Sequence, residues 1–173
     1  MLKCGKTVLC EKTMGLNLKH CRELLDIARE NKIFLMEAIW TRCFPVYEIL
    51  RKELDSGEVG DIVQVYATAG CSNAEVERMK SKDLGGESIS DLDCYPLQFA
   101  SFVFDARCPK DTAALGYINE NGVDLSMGCV ITFETGQTAI LSTHTRSDFP
   151  NDAVIIGTKG SSSILVPYTI NNA

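Results

Sequence analysis

Three stretches of this chain place reactive side chains where a fold could use them. Glu11 and Lys12 directly follow the apolar run Thr7-Val8-Leu9-Cys10, which reads as a short buried strand. In an open parallel sheet, ligands bind beyond the carboxyl ends of the strands. A lysine there, partly desolvated or beside a cationic ring, has a lowered pKa and can shuttle protons near neutrality. From position alone, a solvated lysine at a strand end is the commoner arrangement. Trp40 and Arg42 follow a second apolar run, Ile33-Phe34-Leu35-Met36, so Trp40 can share a cleft with Lys12 or pack as core at the junction. Asp91 and Tyr95 are four residues apart and share one face of a predicted helix. A tyrosine is an acid/base candidate when a nearby cation lowers its pKa from ~10. Lys12 is the candidate cation, with Asp91 orienting either group. The plain alternative is a packed tyrosine and an aspartate favoured by a helix N-terminus.

Other candidates carry less. His144 falls late in a strand pattern and His20 on an exposed helix face. Gly157-Thr158-Lys159-Gly160 lacks the spacing of a phosphate loop and reads as a tight turn. No G-x-G-x-x-G is present. The eight cysteines include no C-x-x-C pair, and two histidines add no cluster, so no metal site is expected. Most of the cysteines lie in apolar runs, which predicts buried free thiols and a reducing, cytoplasmic setting.

The elements that must position these residues change character along the chain. Asn17 is a plausible N-cap for a helix carrying Leu18, Cys21, Leu24, Leu25 and Ala28 on one side, ending near Asn31. Strand, helix and strand within about thirty residues form a parallel βαβ unit. Both apolar runs lack polar alternation, as strands covered on two faces do. Pro45 then opens a helix lined by Tyr47, Leu50 and Leu54, which Ser56-Gly57 stops. Ile62 to Ala69 reads as a strand, Asn73 to Glu87 as a polar loop, and a helix from near Ser90 carries Leu92, Tyr95, Phe99 and Phe102. Beyond it the pattern is β: 112–118, 125–133, 137–145, 153–157 and 162–166, with turn signals at Asn119–Gly122 and Thr135-Gly136. The expected class is α/β followed by α+β with a large, mostly antiparallel open sheet. One βαβ unit cannot satisfy its own edges, so the first domain is expected to be incomplete. The segment from Pro167 to Ala173 likewise stops without a natural finish.

The 173 residues fit one domain or slightly more. With 45% hydrophobic and 23% charged residues, disorder, collagen and coiled coil are excluded. No apolar run reaches the ~18 residues of a membrane helix. A net charge of −6 supplies no basic footprint for nucleic acid or an anionic membrane surface.

Read together, the stretches resemble the Gfo/Idh/MocA oxidoreductases. Gly5 to Gly15 is similar to their G-K-x-V-L-x-E-K-P segment, and Phe34 to Arg42 to the strand that follows it in the dihydrodiol and D-xylose dehydrogenases of the family. Gly85-Gly86 through Asp91-Leu92-Asp93-Cys94-Tyr95 resembles their G-G-G-A-L-L-D-x-G-x-Y, and Gly122-Val123-Asp124 and Gly157–Gly160 fit later landmarks. The resemblance implies the end of an incomplete, N-terminally truncated Rossmann domain over 1–38 and a substrate and dimerisation domain over 39–173. It implies NADP as cofactor, hydride transfer from a trans-dihydrodiol or D-xylose, and a homodimer formed through the sheet. It places Lys12, Tyr95 and Asp91 on the family's catalytic positions, and Glu11, Lys12, Trp40 and Arg42 beside the nicotinamide. The sequence departs from the pattern at Thr13, where the family has proline, at Asp93, where it has glycine, and at Glu87-Ser88-Ile89-Ser90, where it has G-A-L-L. The Gly-rich loop and first strands are absent. These departures leave a second expectation: a catalytically silent binding or dimerisation module.

Overall fold

A computed structural model of the chain describes residues 1–164. The end of the expected last strand and the segment from Pro167 lie outside the described residues. The chain divides into two compact units, Met1–Trp40 and a second beginning at Thr41.

The first unit is a parallel βαβ. Strand β1 (Val8–Cys10) pairs in parallel with β2 (Leu35–Glu37), with Cys10 opposite Glu37. Helix α1 (Leu18–Glu30) joins them. Its N-terminus forms at Asn17 because the extended cap residue turns its side-chain oxygen onto the His20 N–H, at 3.0 Å. Of its apolar residues, Ala28 is buried, Cys21, Leu24, Leu25 and Ile27 are half-buried, and Leu18 is exposed. The strands are not covered on two faces as their composition suggests. Leu9 is 68% exposed and Met36 40%. An apolar run without alternation states only that both faces tolerate apolar residues, not that both are covered.

The second unit starts from α2 (Pro45–Ser56), with Pro45 in its first turn, where its missing N–H costs nothing. Gly57 ends it at φ 73°, a left-handed conformation that favours glycine. Six strands follow: β3 (Ile62–Gly70), β4 (Asp111–Ile118), β5 (Asp124–Thr132), β6 (Thr138–His144), β7 (Ala153–Gly157) and β8 (Ser161–Ile164). Their order across the sheet is β4-β5-β6-β3-β7-β8. Only the central β3–β6 pair is parallel; the other pairings are antiparallel, and the sheet is open. Asn119–Gly122, Thr135-Gly136 and Gly157–Gly160 are turns, the last closed by a Gly157 N–H to Gly160 carbonyl bond of 2.9 Å.

Strand alternation sorts this sheet into two faces. Val65, Ala67, Cys129, Ile131, Ala139, Leu141, Ala153 and Ile155 point to a core shared with Tyr47 and Leu50 of α2 and with Tyr95, Phe99 and Phe102. The opposite face leaves Tyr66 and Val130 exposed and Ile140, Val154 and Ile156 half-buried. Edge strand β4 is exposed along its whole length.

Two expectations are corrected here. The helix near Ser90 is broken in two, α3 (Ser88–Asp91) and α4 (Cys94–Val103). Asp91 and Tyr95 therefore do not share a face of one helix. Counting residues gives a spacing, but it cannot detect the break at Leu92-Asp93. Nor are most cysteines buried. Cys4, Cys43 and Cys108 are exposed, four are half-buried, and Cys129 alone is buried; none of the eight is in a disulfide. Burial pushes the Cys129 thiol upward, as does the nearby Asp93 charge.

Leu141, at 1% exposure, sits in the middle of the core, whereas Leu9 is exposed. Leu141→Ala is expected to lower unfolding free energy by ~2–5 kcal/mol in urea denaturation, and Leu9→Ala by less than about 0.5 kcal/mol.

Candidate functional site

In the first unit, the parallel register brings the carboxyl ends of β1 and β2 to one edge. The Ala38 N–H donates to the Cys10 carbonyl at 2.7 Å, so the two chain exits leave side by side. Glu11 is exposed and Lys12 half-buried just beyond β1. The Lys12–Thr13 peptide bond is cis. The loop continues to Met14, whose N–H donates to Glu37 Oε1 at 2.7 Å, tying it to the end of β2. Trp40 follows β2, 37% exposed. Glu11, Lys12 and Trp40 thus belong to one edge of one small sheet. Glu37 joins them as the residue that fastens the loop; sequence gives no signal for it beyond its place at a strand end.

Arg42 belongs to the second unit, with its guanidinium 4.9 Å from the centre of the Phe102 ring. Arg51 stacks on the same ring at 4.3 Å and donates to the Phe102 carbonyl at 2.7 Å. Such cation–π contact holds a guanidinium against a ring by ~0.5–2 kcal/mol.

Asp91 closes α3 and Tyr95 lies in the first turn of α4, so only the break at Leu92-Asp93 and the first α4 residue, Cys94, separate them. Asp91 is held from both sides. Arg78 Nη2 donates to Oδ1 at 3.0 Å, and Asn73 Nδ2 donates to Oδ2 at 3.0 Å. With its side chain 13% exposed against 50% for Arg78, the pair is only partly screened. Two donors on one carboxylate fix its plane, the prerequisite for orienting anything else. Arg78 and Asn73 lie in the stretch that reads as a loop; it contains two short 3-10 turns, Glu77–Lys80 and Lys82–Leu84. Gly86 is needed there because a side chain would collide with the Arg78 carbonyl. Tyr95 is 7% exposed and belongs to the core cluster. A second phenol, Tyr47, is pushed up to about 12 by burial and donates to Gln98 Oε1 at 2.9 Å; it is structural, not a base.

Asp93 is fully buried, and neither carboxylate oxygen has a hydrogen-bond partner. Burial pushes it up to about 6; the Thr143 and Ser88 hydroxyls, bonded to each other at 3.3 Å, offset part of that rise, and the Asp124 charge adds to it. Asp124, whose Oδ2 accepts from the Ile89 N–H at 3.0 Å, is raised as well, chiefly by burial. The folded protein therefore binds more protons than the unfolded chain between 3.8 and about 6. This contribution is harmless at low pH and becomes a cost as pH rises through that window. Asp93→Asn is expected to stabilise the protein at neutral pH by about 1–3 kcal/mol and to leave stability unchanged near pH 4, measured by denaturation across pH. A variant equal to wild type at both pH values contradicts this account of Asp93.

The profile of the "GFO/IDH/MocA C-terminal domain" matches residues 47–163. Trans-1,2-dihydrobenzene-1,2-diol dehydrogenase of Xenopus tropicalis is 40% identical over 159 residues, covering 92% of this chain and 48% of that protein. The chain thus spans about half the length of the curated relatives it matches. Among solved structures, aldose-aldose oxidoreductase from Caulobacter crescentus complexed with glycerol superposes with a TM-score of 0.90 at 21% identity, over 99% of this chain and 52% of that one. GenD2 from gentamicin A biosynthesis, in complex with NAD, gives 0.85 at 19% over 94% and 48%. KijD10, a 3-ketoreductase from Actinomadura kijaniata with NADP and TDP-benzene, gives 0.79 at 24% over 91% and 49%. At these identities the structures establish the fold. The profile match and the 40% identity go further: this chain belongs to the Gfo/Idh/MocA family, with residues 47–163 forming its C-terminal domain.

Proposed function

We propose that the protein carrying this sequence is an NADP-dependent dehydrogenase that oxidises a hydroxyl-bearing carbon, the carbinol of a trans-dihydrodiol of an aromatic hydrocarbon or the hemiacetal carbon of D-xylose, by hydride transfer. The observation that carries this reading is the 40% identity to a trans-1,2-dihydrobenzene-1,2-diol dehydrogenase over 92% of the chain. Residues 1–38 serve as the end of a Rossmann domain and 39–173 as the substrate and dimerisation domain. The residues at the β1–β2 edge suit the nicotinamide end of the cofactor: two charged groups and an indole beyond parallel strands. When bound, the nicotinamide supplies the acceptor for the hydride.

The rest falls to the chain. The substrate hydroxyl loses its proton as the adjacent C–H bond gives up its electron pair, so a base must touch that oxygen. Tyr95, with Asp91 as the carboxylate beside it, takes the proton, and Lys12 stabilises the developing alkoxide with its ammonium. Glu11, Trp40 and Arg42 line the cofactor's side. Oxidation of a dihydrodiol in this way gives a hydroxy-ketone that tautomerises to the catechol; oxidation of D-xylose gives its lactone. The apolar open face of the sheet, with Tyr66 and Val130 exposed, supports a homodimer formed there. Eight cysteines outside any disulfide support a reducing, cytoplasmic setting.

A silent binding or dimerisation module is the second reading, favoured by the buried carboxylate of Asp93 and the core position of Tyr95. Titration with NADPH, followed by its fluorescence, separates the two. Micromolar binding fits the dehydrogenase, and no binding with a stable dimer on sizing fits the module. In the full-length protein carrying this sequence, Lys12→Met and Tyr95→Phe are each expected to lower turnover of NADP and a trans-dihydrodiol by about 10²–10⁴-fold. Turnover near wild type in either variant removes that residue from the mechanism.

A further inference from the structure

A cleft of about 340 Å³ opens between the outer strands of the sheet and the α3 segment, lined by Glu87, Asp93 and Asp124 with one cationic side chain, Lys82. Ile89, Leu115 and Met127 form its apolar walls, and Leu115 is 87% exposed. We propose that this cleft binds a small organic cation, an ammonium or guanidinium group carried on an apolar body.

The unusual member is Asp93. A buried carboxylate is normally paired or hydrogen-bonded, because stripping it of water is costly. Asp93 is fully buried and both its oxygens lack a partner, while the two hydroxyls nearest it bond to each other. Its nearest donors, the Thr143 and Ser88 hydroxyls, are neutral, so the carboxylate keeps capacity for a charged donor. Asp124 has spent one oxygen on the Ile89 N–H, and Glu87 stands close enough to raise its pKa. Three carboxyl groups against one ammonium leave an excess of negative potential at the apolar wall. Among the described residues no three His, Cys, Asp or Glu side chains converge as a metal ion requires. An ammonium or guanidinium group instead brings its own donors and needs only acceptors. Leu115, Ile89 and Met127 are suited to the apolar part of such a molecule, as in most small-molecule sites. The proposal is separate from the dehydrogenase reading: the cation takes no part in hydride transfer, and its binding needs no nicotinamide.

The test is a calorimetric titration of the 173-residue chain with benzylammonium and, in parallel, with uncharged benzyl alcohol at neutral pH. The expected result is saturable binding of benzylammonium, at least tenfold tighter than benzyl alcohol, weakened at least tenfold by Asp93→Asn. Asp93→Gly serves as a second variant should the asparagine protein misfold, and is expected to lose binding equally. Equal affinity for the two probes, unchanged binding in either folded variant, or no saturation up to about 10 mM overturns the proposal.

Discussion

Parallel pairing of β1 with β2 is the constraint on which the catalytic reading rests. Side-by-side carboxyl ends require two parallel strands, and two parallel strands require a crossover such as α1. Once Cys10 faces Glu37, residues 11–14 and 38–40 must leave the sheet at the same edge. Glu11 and Lys12 then belong to the same edge as Trp40, although nearly thirty positions separate them from it. The Met14 to Glu37 bond completes the arrangement by fastening the loop that carries Lys12 to the strand beside it. None of this needs a large core.

The second unit solves a different problem. Its sheet buries one face under α2 and α4, and alternation along β3, β5, β6 and β7 supplies the inward residues. The central strand β3 accepts a parallel neighbour on one side and an antiparallel one on the other. The break between α3 and α4 is as consequential as the sheet. It turns Asp91 toward Asn73 and Arg78, leaves Tyr95 in the core, and buries Asp93 between them in sequence.

Helix ends and turns are legible in both units because their signals are local. Asn17 as a cap, Pro45 in a first turn and Gly57 in a left-handed stop each act within a few residues of where they stand. The hairpin turns at 119–122 and 135–136 were legible for the same reason. What depends on distant partners was not. The exposure of Leu9 and Met36 depends on what lies over a strand, which composition does not record. Cysteine burial is hidden for the same reason, since an apolar run says nothing about its cover. Arg78 and Asn73 lie 13 and 18 positions from Asp91, in a stretch with no periodicity to reveal that they return to it. Asp93 is visible as a substitution, but its burial beside no charged donor is a fact of packing.

Hydride transfer itself can be followed directly. A trans-dihydrodiol bearing deuterium at both carbinol carbons, incubated with NADP and the full-length protein that carries this sequence, places its label where the chemistry occurs. The account predicts that deuterium appears on the reduced nicotinamide, one atom per catechol formed, by mass spectrometry. Catechol formed without label on the nicotinamide, or no catechol at all from active, folded protein, contradicts it.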